Sequence, residues 1–132
     1  MRRNISSGGP YEKIYGYSRA VRVGNTVHVA GTCAQPPHIT GCDAYQQALS
    51  ALSIVTDSLD AAGAELASVV RTVTYVTDIQ DAGLVGRAHL EVFGDIQPAA
   101  TLVAVSALLE PEMLVEIEAY AIIEGKSQSQ NK

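Results

Sequence analysis

Apolar and polar positions alternate with a period of two from Ser18 to Gly31 (SRAVRVGNTVHVAG), where Val21 and Val23 precede, and Val27 and Val29 follow, the pair Gly24-Asn25. Arg22 and His28 take the other parity. This pattern around a Gly-Asn pair predicts a β-hairpin. Beyond the loop PPHITGCD, Asp43 and Gln46 stand three residues apart, as a helix N-cap and its reciprocal partner do. Tyr45, Ala48, Leu49, Leu52, Val55 and Leu59 then recur at i, i+3, i+4 and i+7, which predicts a helix with one apolar stripe ending near Gly63.

Residues 68–77 (SVVRTVTYVT) are dense in β-branched side chains, with Val70, Thr72, Thr74 and Val76 on one parity and Val69, Val73 and Tyr75 on the other. A strand with both faces partly buried is expected. Leu84, Val85, Ala88, Val92 and Phe93 mark a second amphipathic helix that stops at Gly94, before Pro98. Two further strands are expected at about 100–108 and 114–123, the latter alternating Val115, Ile117, Ala119 and Ala121 with Glu116, Glu118, Tyr120 and Ile122. The order ββαβαββ describes an α+β fold with a mixed sheet and two helices on one face. Because those helices cover only one face while strand 68–77 is apolar on both, a homo-oligomer is expected.

With 132 residues the chain has the size of one domain, expected over 1–125, and the tail KSQSQNK (126–132) has nothing apolar to bury and is expected to be disordered. There is no Trp and only one Phe, so Val, Ile, Leu and Ala must build the core. Nine Lys and Arg against 14 Asp and Glu give a net charge of -5, which argues against a nucleic-acid partner. No apolar stretch approaches the roughly 20 residues of a membrane span, so no membrane partner is expected. Cys33 and Cys42 lack C-x-x-C spacing, and no leader precedes the first expected strand; a reducing, cytoplasmic setting is expected. His28, His38 and His89 are scattered over a strand, a loop and a helix without metal-pair spacing, so no metal site is expected.

The stretch QPAATLVAVSALLEPEMLVEIEA (97–119) resembles the C-terminal signature of the Rid (reactive intermediate deaminase, YjgF-like) family, in which a Pro-Ala-Arg-Ser-x-Val-x-Val run leads through a Leu-rich turn to a Val-Glu-Ile-Glu strand. Pro98, Ala99, Val103, Val105, Leu108, Glu116, Ile117 and Glu118 match in place. Gly16-Tyr17, Val29-Ala30-Gly31, Ala61-Ala62-Gly63 and VVRTVTYVTDI extend the likeness over nearly the whole chain. The resemblance implies a homotrimer of chorismate-mutase-like arrangement, helices outside, with small-metabolite sites in three clefts between subunits. It also implies hydrolysis of 2-imino or enamine intermediates to 2-keto acids and ammonia, without metal or organic cofactor. Tyr17 would hydrogen-bond substrate or water, Gly31 would offer backbone groups with Thr32 beside it, and Glu116 would position or polarise the attacking water.

Two departures from the family pattern bear on specificity. The family's arginine, which pairs with the substrate carboxylate, falls on Ala100, followed by Thr101 and Leu102; alanine cannot imitate a bidentate guanidinium. The asparagine position of deaminase members falls on Gly86, followed by Arg87. Ala100, Thr101 and Arg87 are therefore expected to form an altered specificity pocket, with Arg87 preferred over Arg71 as the cation that restores charge. Glu116 fits either water positioning or structural pairing, Glu118 a bridge to a basic neighbour, and Cys33 a small buried hydrophobe. An imine-type hydrolase is the leading reading, a metabolite-binding trimer without turnover the alternative, and RNA cleavage the weakest.

Overall fold

A computed structural model describes residues 1–124, and the expected tail lies outside the described residues. Its elements run β1 (Arg2–Ile5), α1 (Pro10–Tyr15), β2 (Ala20–Val23), β3 (Thr26–Thr32), α2 (Ala44–Ala61), β4 (Val69–Val76), α3 (Ala82–Phe93), β5 (Ala99–Ala104) and β6 (Val115–Ile122). They form one six-stranded mixed sheet of order β1-β2-β3-β6-β4-β5, parallel only between β4 and β5. The α+β class and the ββαβαββ order hold from β2 onward. Strand β1 and helix α1 are additions for which the residue pattern gave no sign. β1 is a four-residue edge strand, RRNI, with three of its residues exposed, so it has no apolar alternation to read. Pairing to β2 and a bond from Arg3 Nη2 to Ala61 O (3.1 Å) hold it in place.

The hairpin turns where Gly24 takes a φ of 58°, a conformation open to glycine at little cost. Asp43 accepts from Gln46 N (2.8 Å) while the Gln46 side chain accepts from Asp43 N (2.9 Å), which completes the reciprocal cap of α2. Leu52, Val55 and Leu59 of α2 and Val85, Ala88 and Phe93 of α3 are buried against Val27, Val29, Val76, Val115, Ile117, Ala119 and Ala121. Each such aliphatic side chain, once buried, stabilises the fold by about 1.5–3 kcal/mol.

The other face of the sheet carries His28, Val73, Tyr75, Glu116, Glu118 and Tyr120, and no helix of the described residues covers it. Strand β4 does not alternate throughout. Its register against β6 shifts between Val69 and Arg71, so Val69 joins the buried face and Val70 is exposed. β5 also ends four residues earlier than the expected 100–108.

Candidate functional site

Strand β6 supplies the carboxylate. Its odd residues Val115, Ile117, Ala119 and Ala121 are buried under the helices, so Glu116 and Glu118 project on the opposite, open face. Opposite Glu116, the register of β3 shifts between Val29 and Thr32 and puts Gly31 beside the carboxylate. A Cβ on residue 31 would overlap Glu116 Oε2, so glycine is required for this approach. Glu116 Oε1 accepts from Cys33 Sγ at 3.5 Å. Burial first, then the charge of Glu116 and this hydrogen bond, push the Cys33 thiol up to about 12, which keeps it protonated.

Tyr17 follows Gly16, the left-handed cap of α1, and its ring borders two hollows. One, of about 430 Å³, also meets Asn4, His28, Gly31, Glu118 and Tyr120. The other, of about 570 Å³, lies among Ser7–Glu12, Arg19, Gln35, Pro36, Glu110 and Met113. Arg19 ties the two parts together: its Nη2 donates to Gly31 O at 2.6 Å, and its guanidinium carbon lies 6.0 Å from the Tyr17 ring centre. Tyr17 and Gly31 thus border one hollow, and Glu116 lies against Gly31. Thr32 does not join them, because it is buried and its hydroxyl donates to Ala30 O (2.7 Å).

Ala100 and Thr101 are elsewhere. They lie on β5, separated from β6 by β4, and border a hollow of about 210 Å³ with Thr74, Val85, Gly86, His89 and Leu102. His89 Nε2 is 2.8 Å from Thr72 Oγ1, and burial holds this imidazole below its usual range, which favours the neutral ring. Arg87 faces neither group. It stacks on Tyr45, 3.9 Å from the ring centre, and stands 4.0 Å from Glu91 on the helix layer. The cation that reaches Thr101 is Arg71, whose Nη2 donates to Thr101 Oγ1 at 3.0 Å. Among the described residues Glu118 has no basic partner; it accepts from Tyr75 (2.8 Å) and from Tyr120, whose hydroxyl is pushed up to about 12, chiefly by that hydrogen bond.

The residue missed by sequence reading is Arg19. A charged side chain just ahead of a strand reads as solvated, and only the fold shows that it is buried.

A small α+β sheet-and-helix domain with a glutamate beside a glycine bulge defines the class. The chain belongs to the endoribonuclease L-PSP family, also called YjgF or Rid, whose model matches residues 10–123. It is 36% identical over 122 residues to an uncharacterised protein of Streptomyces coelicolor, covering 89% of this chain and 91% of that one. The human 2-iminobutanoate/2-iminopropanoate deaminase is 31% identical, with 92% of this chain and 90% of that protein covered. Among solved structures, a YjgF/YER057c/UK114-family member from Mycobacterium tuberculosis superposes with a TM-score of 0.87 at 46% identity, covering 93% of this chain and all of that one.

Proposed function

We propose that this protein hydrolyses small imines or enamines to carbonyl compounds and ammonia, as a homotrimer with its sites in clefts between copies. The observation that carries this reading is the Glu116 carboxylate held against the Gly31 backbone, where Gly31 and Tyr17 border one hollow. Glu116 takes a proton from water as the oxygen adds to the C=N carbon. That proton passes to nitrogen to give the carbinolamine; Glu116 then takes the hydroxyl proton and returns it to nitrogen as the C–N bond breaks, leaving C=O and NH3. Tyr17 and the backbone at Gly31 hold the substrate in line. The membership in a family with deaminase-named relatives supports the reaction class.

The subunit cleft is supported by the separation of Tyr17, Gly31 and Glu116 from Ala100 and Thr101, which lie on the sheet's edge strand β5. A neighbouring copy's β5 edge would bring the second group to the first. The net charge of -5 speaks against an RNA substrate, and two free thiols suit a reducing, cytoplasmic setting. Among the described residues, no helix is long and apolar enough to cross a membrane.

Imines generated by an amino-acid oxidase provide the test, with keto-acid release as the readout. The wild-type protein is expected to accelerate release and Glu116→Gln to lose about 100-fold or more, the typical contribution of general-base catalysis. No acceleration with acidic, neutral or uncharged imines would count against hydrolysis. One observation favours a second reading, a metabolite-binding trimer without turnover: Ala100 offers no guanidinium in the family's position. A 2-oxo acid that raises the melting temperature without any imine being consumed would support it.

A further inference from the structure

Among the described residues, Arg19 is a buried cation without a counter-ion. It is 9% exposed, its Nε has no hydrogen-bond partner, and its one bond among the described residues runs from Nη2 to Gly31 O. No carboxylate of the described residues lies within salt-bridge distance of it; Arg87 and Glu91 form the ion pair found there. A guanidinium stays charged and carries five donors, so one that is buried with one donor used is costly unless an anion completes it. Arg19 and Tyr17 both line the hollow of about 570 Å³.

We propose that Arg19 binds the carboxylate of the substrate, in place of the arginine that Ala100 has lost. This rests on the hydrolase reading and adds the specificity-determining residue. Nη2 is fixed on the Gly31 carbonyl and Gly31 touches Glu116, so Arg19 and the water-handling glutamate share Gly31 as a common neighbour. The other charges of the hollow define the rest of the ligand. Glu12 is a buried carboxylate: burial raises it, but hydrogen bonds from Ser7 and Ser6 outweigh burial and hold it below the usual carboxylate range. Glu110 lies at the rim, bonded by the Tyr11 hydroxyl at 2.9 Å. With Glu12 and Glu110 also lining the hollow, a ligand with a single carboxylate is favoured over a dianion.

Binding and turnover are measured separately, so that this assignment and the hydrolase reading fail in different ways. Calorimetry with 2-oxobutanoate is expected to show binding to the wild type, a loss of about 100-fold in Arg19→Gln, and partial recovery in Arg19→Lys. In kinetics, Arg19→Gln should raise KM for imines bearing a carboxylate by a larger factor than for an uncharged imine. Equal affinity for 2-oxobutanoate in Arg19→Gln and wild type, or an equal loss on charged and uncharged imines, would overturn the assignment. Oxo-acid binding that depends on Arg19 without imine turnover would uphold it and sink the hydrolase reading instead. Should the variants fail to fold, the 15N-labelled wild type decides: the Arg19 Nε–H resonance shifts when 2-oxobutanoate is added, and an unmoved resonance refutes the proposal.

Discussion

Cys33 lies where Glu116, Arg19 and Glu110 all exert their charge, and burial outweighs each of them. Alkylation requires the thiolate, so modification of Cys33 by iodoacetamide at pH 8 is expected to run about 100-fold slower than in the chain unfolded by denaturant. Glu116→Gln removes the second and third causes of the shift and leaves burial, so the rate should rise several-fold without reaching that of the unfolded chain. Peptide mass mapping over time reads both; a wild-type rate equal to that of the unfolded chain would refute the buried, acid-flanked setting. The thiol is raised from 9.0 to about 12, so its contribution to stability is intact below about 9 and is lost as the pH climbs toward 12. Cys33→Ala should flatten that alkaline decline. Glu116 was legible because strict alternation on β6 forces it away from the apolar side, whereas Arg19 was not, since burial of a strand-flanking arginine depends on Tyr17, the 7–12 segment and the Gln35-Pro36 loop closing around it.

At the scale of elements, α2 was the most readable, because its stripe and its cap reinforce each other along 18 residues. Replacing Asp43 by Ala removes one half of the reciprocal cap and is expected to cost about 1 kcal/mol, measured as a lower urea midpoint at unchanged slope. A full loss of structure, or no change, would show that the cap is not what starts this helix. The strands were less exact where one extra residue breaks the period. Around Val70 and again at Ala30 and Gly31 the pairing register shifts, and a one-residue shift exchanges the faces of everything beyond it. At the second of these shifts the family resemblance had marked Gly31, but the shift itself had no signature in the hydrophobic pattern. Helix α1 is six residues long and begins at Pro10; it is too short for periodicity to announce it.

In the whole molecule, the uncovered sheet face sets the question of assembly. Val73 and Tyr75 are half-buried there and Val103 is 41% exposed, alongside the Tyr75, Glu118 and Tyr120 hydroxyl-carboxylate network. Apolar side chains on a face with no helix over it favour contact with further copies. Sedimentation equilibrium is expected to give three times the 13.9 kDa chain mass, and Val103→Glu to shift the protein toward monomer with activity lost in parallel. A wild-type monomer at micromolar concentration would remove the inter-subunit cleft from the functional reading. Ala100 and Thr101, remote from Glu116 within one chain, acquire a role in the site only through such an assembly.

The sequence by itself determined the two long helices, the hairpin, the alternation of β6 and the family, because each depends on local periodicity or on contiguous motifs. Only the tertiary structure decided which cations stand where: Arg87 is held by Tyr45 and Glu91, Arg71 by Thr101, and Arg19 is buried beside Tyr17 and Gly31 without an ion-pair partner among the described residues. The physical reason is that a long charged side chain is positioned by residues distant in sequence, and desolvation, which gives an arginine its binding strength, exists only once those residues have packed around it.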